Sequence, residues 1–419
     1  MSSAFTSSQR YAAVVRHADA VERAMELFEN SEYLTDILVR HPEEIATLAN
    51  CDEPAQRRGG GYLFGNLLGA VRANNDPVFA YLAASESSYG EKLSLLRQHY
   101  RHRVFAAGAR DVNELRGVYE SMAANTAAAE DAIATAFEIA GAPAGLAVMA
   151  VGRLGSAEFD VLSDADLLFV CEEGEDRLAL GKAVERMVQA LAAYTQDGMV
   201  FSVDTRLRPR GGEGELLMTP VQLASYCEQE AQPWEALMYT KLRFLAGEEQ
   251  LGRRALAAAR ILFERMAADP GFLPAVREMR LRIEASEAPG NSLKTSPGGL
   301  YDVDFLSGFL LVKHGVPEKA GTLRDRLWRC AEAGLLEKAD AATLDHAAEL
   351  LRAVQHVARL AVGRPLRWLP ATEHARQVSE KLTAKILSRK FADGLEPEMV
   401  QTLQTVREVY ARVVGLPEP

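Results

Sequence analysis

Cysteine is scarce in this sequence, and its few copies build neither a covalent nor a metal-bound scaffold. Only 4 occur among 419 residues, and none of them forms a Cys-x-x-Cys pair. They are Cys51, Cys171, Cys227 and Cys330. Widely separated single cysteines are typical of reduced, mostly buried side chains, so a disulfide framework and a cysteine zinc site are both excluded. The 8 histidines show no metal-ligand spacing either.

Excess positive charge and long apolar runs are also missing. The chain has 47 Lys and Arg residues against 58 Asp and Glu residues, which gives a formal net charge of −11. A general nucleic-acid-binding protein usually carries a basic surface, so nucleic acid is not expected as a partner. No apolar run approaches the ~18 residues needed to cross a bilayer, and the first residues lack the pattern of a cleaved signal. We therefore expect a cytoplasmic protein without a membrane partner.

What is present is the composition of a soluble globular protein, in a chain long enough for two or three domains. Helical periodicity dominates both ends of the sequence, whereas strand-like runs concentrate in the middle. The predicted organisation is an N-terminal helical region at 1–140, a core at 141–250 and a C-terminal helical bundle at 251–419. Within the first region, residues 57–62 are predicted to form a glycine-rich connector.

The first pattern that suggests chemistry is a strand followed by a glycine-rich turn. The apolar run Leu146–Val151 is short enough for a buried strand, and Gly-Arg-Leu-Gly-Ser follows it directly, ending in Gly155 and Ser156. Such a turn offers free backbone N–H groups to an anion such as phosphate. On its own, however, this turn is a common pattern with little specificity.

An Asp-x-Asp pair follows and opens a second apolar run, Leu167–Val170. Because side chains alternate along a strand, Asp164 and Asp166 are expected to point the same way. Two adjacent carboxylates repel each other unless a shared proton, a basic partner or a divalent metal neutralises them. A solvated strand end would also explain the pair. Turn and pair together, in this order, resemble the polymerase-β-like nucleotidyltransferase superfamily, whose members need a third carboxylate on a neighbouring strand.

A third carboxylate is found downstream. The stretch Val200–Pro209 alternates like a strand and carries Asp204, followed by Arg206 and Arg208 at a spacing of two. On a strand, these two arginines would share a face and meet phosphate oxygens in bidentate fashion.

Four motifs narrow the resemblance to the glutamine synthetase adenylyltransferase family. In chain order they are Gly152-Arg-Leu-Gly-Ser with Ser163-Asp-Ala-Asp, Val203-Asp-Thr-Arg-Leu-Arg-Pro-Arg-Gly-Gly-Glu-Gly, Trp234-Glu-Ala-Leu and Pro297-Gly-Gly-Leu-Tyr-Asp-Val-Asp-Phe. The resemblance implies a predominantly helical α+β fold. Its polymerase-β-like nucleotidyltransferase core would have a small mixed sheet, flanked by the N-terminal helical region and the C-terminal helical bundle.

The resemblance also implies a reaction, in which AMP moves from ATP to a tyrosine of glutamine synthetase. Asp164, Asp166 and Asp204 would hold two Mg²⁺ ions, and Asp204 would accept the tyrosine proton. The residues expected to bind the nucleotide are Gly155, Ser156, Ser163, Arg206 and Arg208. The implied partners are glutamine synthetase, whose regulation belongs to nitrogen metabolism, and a nitrogen-signal regulatory protein.

Three alternatives stay open at this point. Full-length members of the family join two related halves, one attaching AMP and one removing it by phosphorolysis, and this chain carries one set of motifs. Tyr301, at a position where the removing half often has Arg, and the segment Val362-Gly-Arg-Pro favour attachment. A catalytically inactive docking module and a small-molecule nucleotidyltransferase of the antibiotic-modifying kind are the other two alternatives.

Two further expectations concern charged residues outside the motifs. Lys241 and Arg243 follow the Trp234 motif, and the resemblance places their segment beside the phosphates. Arg352, His356 and Arg359 recur at i, i+4 and i+7 on one face of a strongly amphipathic helix, a pattern that predicts a solvent-facing surface.

Overall fold

The computed structural model describes residues 18–49, 76–114, 116–287, 290–316 and 321–415. Cys51 and the predicted connector at 57–62 lie outside these residues. Helices predominate among these described residues and the sheet is small and mixed, so the predicted predominantly helical α+β class is confirmed. The division at 140 and 250 into three regions stays a prediction.

Six α-helices precede the first strand in the described part of the chain. They are α1 (Ala18–Asn30), α2 (Glu32–Arg40), α3 (Ile45–Ala49), α4 (Pro77–Ala84), α5 (Tyr89–Asn113) and α6 (Val118–Ile139). Side chains set their starts: Ser31 accepts a hydrogen bond from the Leu34 N–H at the start of α2. Ser88 and Glu91 form a capping box that begins α5. These caps satisfy N–H groups that have no partner within the helix.

The sheet lies between α6 and the C-terminal helices. Its elements are β1 (Leu146–Ala150), α7 (Gly152–Gly155), β2 (Ala165–Cys171), α8 (Arg177–Ala192), β3 (Val203–Asp204), β4 (Leu217–Met218), α9 (Pro220–Gln229), α10 (Pro233–Tyr239) and β5 (Arg243–Gly247). The strand order is β3-β2-β1-β5, and β4 also pairs with β2. β1 is antiparallel to β2 and β5, whereas β3 and β4 run parallel to β2. Because β1 occupies one edge of β2, β3 and β4 share the other edge.

Both faces of this sheet are covered. One face, with Val148 and Phe169, belongs to a core that includes side chains of α5, α6 and α8. The opposite face, with Met149 and Leu168, belongs to a second core with α9, α10 and α11 (Glu249–Ala268). Burial on both sides explains why β1 and β2 are continuous apolar runs rather than alternating ones.

The strand predicted over Val200–Pro209 is shorter in the structure. Only Val203–Asp204 is strand, and the prediction for residues 200–202 and 205–209 is therefore wrong. The Arg208 guanidinium donates hydrogen bonds to the Thr205, Gly212 and Gly214 carbonyl oxygens at 2.9, 3.1 and 3.0 Å. These bonds hold the chain in a turn that alternation along the sequence does not reveal.

The remaining described chain is a helical bundle. After α11 come α12 (Phe272–Ser286), α13 (Leu300–Lys313), α14 (Leu323–Glu332), α15 (Lys338–Val362), α16 (Glu373–Ile386) and α17 (Leu395–Val414). Helix α15 packs against α14, α16 and α17 and also against α2 and α6. Among the residues described, no helix is long and apolar enough to span a bilayer.

The expectation that Arg352, His356 and Arg359 face solvent is wrong. His356 is fully buried and Arg359 nearly so. Because α15 is surrounded by other elements on most sides, its charged stripe lies against the chain between α7 and β2 instead of against water.

Candidate functional site

Two glycines let the turn after β1 lie close to its neighbours. Gly152 has φ of 59°, and a Cβ there would collide with the Asp166 carboxylate. A Cβ on Gly155 would collide with the Lys241 carbonyl group, just before β5. The Val151 N–H also donates to the Asp166 carbonyl oxygen at 3.1 Å. These contacts place the turn directly against the acidic end of β2.

The polar atoms of this turn bond mainly to each other. The Gly155 N–H donates to the Val151 carbonyl oxygen at 2.9 Å, and the Ser156 N–H and hydroxyl donate to the Gly152 carbonyl oxygen at 3.1 and 2.9 Å. Arg243 donates to the carbonyl oxygens that end the turn and pairs with the buried Glu130 carboxylate at 2.5 Å. These bonds fix the conformation of the turn, and phosphate binding by Gly155 and Ser156 stays a prediction. The Arg243 guanidinium stabilises the turn in this structure.

The structure brings the three predicted acids together. Asp166 and Asp204 are direct partners in the parallel pairing of β2 with β3. Neighbouring strands lie about 4.8 Å apart, so the two carboxylates come from adjacent backbone positions. Asp164 is two residues before Asp166; it is exposed, whereas Asp166 and Asp204 are partly buried. The metal-binding and catalytic roles of all three stay predictions.

The neighbouring acids destabilise the negative charge of Asp166. Burial, then the Asp204 and Asp164 carboxylates, raises the pKa of Asp166 to about 6 against the opposing effect of Lys294 and Lys241. A raised carboxylate pKa means that negative charge at this position is destabilised. A cation bound at this edge would relieve that repulsion.

The exposed Arg206 side chain neutralises part of this charge. Its Nη2 lies 2.6 Å from Asp204 Oδ2, and its backbone N–H donates to Oδ1 at 2.8 Å. Hydrogen bonds from Arg206 lower the pKa of Asp204 below its usual range. Arg208, in contrast, is bound to the carbonyl groups of its own loop. The two arginines therefore have different partners here, and their roles in phosphate binding stay predictions.

The donor set suits a hard divalent cation. Carboxylate oxygens are the ligands that Mg²⁺ prefers. In this structure the Arg206 guanidinium supplies the positive charge beside Asp204. As the described side chains stand, no group of three or more His, Cys, Asp or Glu has metal-holding geometry. Cation binding by Asp164, Asp166 and Asp204 stays a prediction, and Arg206 is the group that now neutralises Asp204.

Two lysines near the acids have different surroundings. Lys241 pairs with Asp304, which also pairs with Arg326. Lys294 is exposed, and its Nζ lies 4.9 Å from the centroid of the Tyr301 ring. Sequence reasoning did not single out Lys294; its position three residues before the Pro297 motif is the one signal that could have drawn attention to it.

Ser163, predicted to bind nucleotide, is buried and held from the C-terminal bundle. Its hydroxyl accepts a hydrogen bond from Arg359 Nη1 at 2.7 Å. The same nitrogen donates to the Val161 carbonyl oxygen at 2.8 Å. Ser163 therefore links the chain before Asp164 to α15, and its role with nucleotide stays a prediction.

Comparison with known proteins identifies relatives for most of the chain. Residues 21–258 match the family described as glutamate-ammonia ligase adenylyltransferase, and residues 275–414 match one described as GlnD PII-uridylyltransferase. A bifunctional glutamine synthetase adenylyltransferase/adenylyl-removing enzyme of Cutibacterium acnes is 26% identical over 98% of this chain and 43% of its own length. Enzymes of the same description from Streptomyces coelicolor and Mycobacterium bovis are 30% and 32% identical, over 84% and 73% of this chain and 35% and 33% of their own lengths. The chain thus spans between 33% and 43% of these relatives.

Proposed function

The chain belongs to the glutamate-ammonia ligase adenylyltransferase family, and from that premise we propose that it transfers AMP from ATP to a tyrosine hydroxyl of glutamine synthetase. One observation carries the proposal: Asp166 and Asp204 are partners across β2 and β3, with Asp164 two residues away and the Gly152 turn against them. Catalysis is assigned to the core at 141–250, between the two helical regions.

The proposed step is an in-line displacement at the α-phosphorus of ATP. The tyrosine oxygen forms a bond to that phosphorus, the bond to the β-phosphate oxygen breaks, and pyrophosphate leaves. Asp204 accepts the tyrosine proton, since β3 lies at the edge of the sheet and the carboxylate can act as a base once Arg206 has left it. Asp164, Asp166 and Asp204 would hold Mg²⁺, which would neutralise charge on the attacking and leaving oxygens.

Binding of ATP changes the partner of Arg206 in this proposal. Its guanidinium moves from Asp204 to the phosphates, which frees the carboxylate for cation and substrate. The exchange costs little for a side chain that is 79% exposed, because surface ion pairs contribute little to stability. Gly155, Ser156 and Ser163 line the phosphate side of the site, and Arg208 stabilises the loop beside it.

Removal of AMP is the second candidate, because the relatives carry both activities in their names. Here a phosphate oxygen forms a bond to the phosphorus of the attached AMP, and the bond from that phosphorus to the tyrosine oxygen breaks. ADP is released and the tyrosine oxygen takes up a proton. Attachment is favoured by Tyr301, which stands where the removing half often has Arg, and by the segment Val362-Gly-Arg-Pro.

The match of residues 275–414 to the PII-uridylyltransferase description supports the C-terminal bundle as the place where a nitrogen-signal regulatory protein acts.

The test is to incubate the chain with α-labelled ATP, Mg²⁺ and purified glutamine synthetase. Label on the synthetase supports attachment. Formation of ADP from adenylylated synthetase and phosphate supports removal instead. If neither reaction occurs, and D166N binds the synthetase as the wild type does, the chain is a docking module and the proposal is wrong. Label transferred to small hydroxyl compounds but not to the synthetase would indicate a small-molecule enzyme.

A further inference from the structure

The chain between α7 and β2, residues 157–164, carries the conformation that leads to the first acid of the site. It has no regular structure, and two of its non-glycine residues, Ala157 and Leu162, have φ of 56° and 58°. Side chains with a Cβ rarely adopt this left-handed conformation, and it persists where surrounding contacts enforce it. Something in the structure must therefore hold this segment in place.

Helix α15 supplies those contacts from one face. Arg352 Nη2 lies 2.6 Å from Glu158 Oε2, and His356 Nδ1 lies 2.6 Å from Asp160 Oδ1. One turn further on, Arg359 donates to the Ser163 hydroxyl, as described above. Three successive cationic side chains of one helix thus hold three successive points of the segment.

His356 also ties this contact to the N-terminal helices. Its Nε2 lies 3.2 Å from Asp111 Oδ2 of α5, and Asp111 in turn accepts hydrogen bonds from Arg116 and from the Ser121 hydroxyl. Burial opposes the charged ring, but the two carboxylates outweigh it and raise the pKa of His356 to about 10. Arg153 of the glycine turn lies 3.5 Å from Asp160 on the other side.

The last contact from α15 lies directly before Asp164, the first acid of the site. Arg359 bonds to Ser163 and Val161, the next residue is Asp164, and the Ala165 N–H donates to the Ser202 carbonyl oxygen at 2.8 Å, just before β3. Displacement of reacting or ligating groups by an ångström is enough to reduce catalysis about a hundredfold. The position of Asp164 relative to Asp166 and Asp204 therefore depends on what holds residues 158–163.

We propose that Arg352, His356 and Arg359 of α15 are positioning residues, which fix residues 158–163 so that Asp164 completes the cation-binding site with Asp166 and Asp204. The inference rests on the proposed function, because it assumes that these acids bind a divalent cation. In this proposal the C-terminal bundle positions a residue of the site without contributing a catalytic group.

The test compares R359Q with a matched variant on the same helix. R359Q removes the hydrogen bonds to Ser163 and Val161 and the longer contact with Asp160 at 3.5 Å. E349Q is the control, because Glu349 lies on the same helix and its ion pair, at 3.1 Å, is with Arg324 of α14 rather than with the segment. Thermal unfolding measures the structural effect of each variant, and Mn²⁺ binding to the chain alone, followed by electron paramagnetic resonance, measures the site.

We expect R359Q to bind Mn²⁺ about tenfold more weakly than the wild type, as for residues that orient metal ligands. The Mg²⁺ concentration for half-maximal transfer should rise with it. E349Q should bind Mn²⁺ as the wild type does, and R359K should give an intermediate loss. A folded R359Q with wild-type Mn²⁺ affinity and wild-type kcat would overturn the proposal. If R359Q does not fold, R359K decides in the same way.

The two proposals fail differently. A wild type that neither attaches nor removes AMP, but whose Mn²⁺ binding is weakened by R359Q and abolished by D166N, contradicts the proposed function and supports the positioning role. Normal transfer and normal Mn²⁺ binding by R359Q contradict the positioning role alone.

Discussion

Two groups of acids lie within a few residues of each other in this protein, and they differ in how their charge is balanced. Asp160, in the segment before β2, is fully buried and contacts His356, Arg359 and Arg153. Despite its burial, these cations hold its pKa well below the usual range. Asp166, six residues later, is less buried, yet its pKa is raised to about 6.

The difference separates structural acids from candidate functional ones. A buried carboxylate with a full set of cationic partners stabilises the fold only as part of that set. A carboxylate that faces other carboxylates has its negative charge destabilised in the isolated protein. Such a group is a candidate for binding a cation or a substrate. Asp204, paired with the exposed Arg206, lies between these extremes.

The largest expected effect is on activity, from D166N. The substitution removes one anion from the cation-binding group with little change in volume, and transfer should fall roughly a thousandfold. The free energy of unfolding should stay unchanged or rise, because the ionised Asp166 is destabilised in the folded state. Initial rates with labelled ATP and urea unfolding check the two parts. Full activity in this variant would show that Asp166 is not a functional acid, and its contrast with Asp160 would then have no bearing on function.

The matching substitution D160N should act in the opposite way, on stability first. It leaves the buried charge of His356 without its nearest anion, and loss of one partner of a buried pair costs about 3 kcal/mol. Urea unfolding of D160N beside D166N measures the contrast. Equal stability of the two variants would show that charge balance does not distinguish these acids.

The pH dependence of stability should report the same network. The folded pKa of His356, about 10, lies above the value of about 6.5 in an unfolded chain. Its contribution to stability is therefore fully present below pH 6.5 or so and is lost as the pH rises through about 10. The His356 ring contacts Asp111 and Asp160; Arg116 pairs with the first of these carboxylates, and Arg153 and Arg359 pair with the second. Unfolding free energies of the wild type and H356Q should converge over this range; parallel curves would contradict the assignment.

The smallest effect on stability is expected from R206Q. Its ion pair with Asp204 is exposed, and such pairs contribute little to the free energy of unfolding. The KM for ATP should nevertheless rise severalfold if Arg206 moves to the phosphates. Urea unfolding and ATP-dependent rates test both statements. A large loss of stability with an unchanged KM would place Arg206 with the structural residues.

Local patterns were enough to predict the acids. Alternation along the strand puts Asp164 and Asp166 on one side, and the search for a third carboxylate led to Asp204, which the structure places opposite Asp166. The family and the predominantly helical α+β class were also predicted and are confirmed. These features depend on residue types and short-range spacing, which the sequence states directly.

The error on α15 has the opposite origin. A stripe of Arg352, His356 and Arg359 has the same spacing whether it faces water or buried carboxylates, so helical periodicity cannot tell the two apart. The partners, Glu158 and Asp160, lie almost 200 positions away in the chain. For the same reason, alternation overestimated β3, since the turn depends on the bonds that Arg208 makes to its own loop.

The sequence alone was enough to predict the three acids as candidates, the glycine turn, the family and the helical class, because each depends on residues that are neighbours in the chain. Only the tertiary structure decided which charges are compensated: His356 between Asp111 and Asp160, Arg206 on Asp204, and Asp166 left to repel its neighbours. The physical reason is that the energy of a charge depends on burial and on the charges a few ångströms away. Those neighbours are chosen by folding rather than by order along the chain.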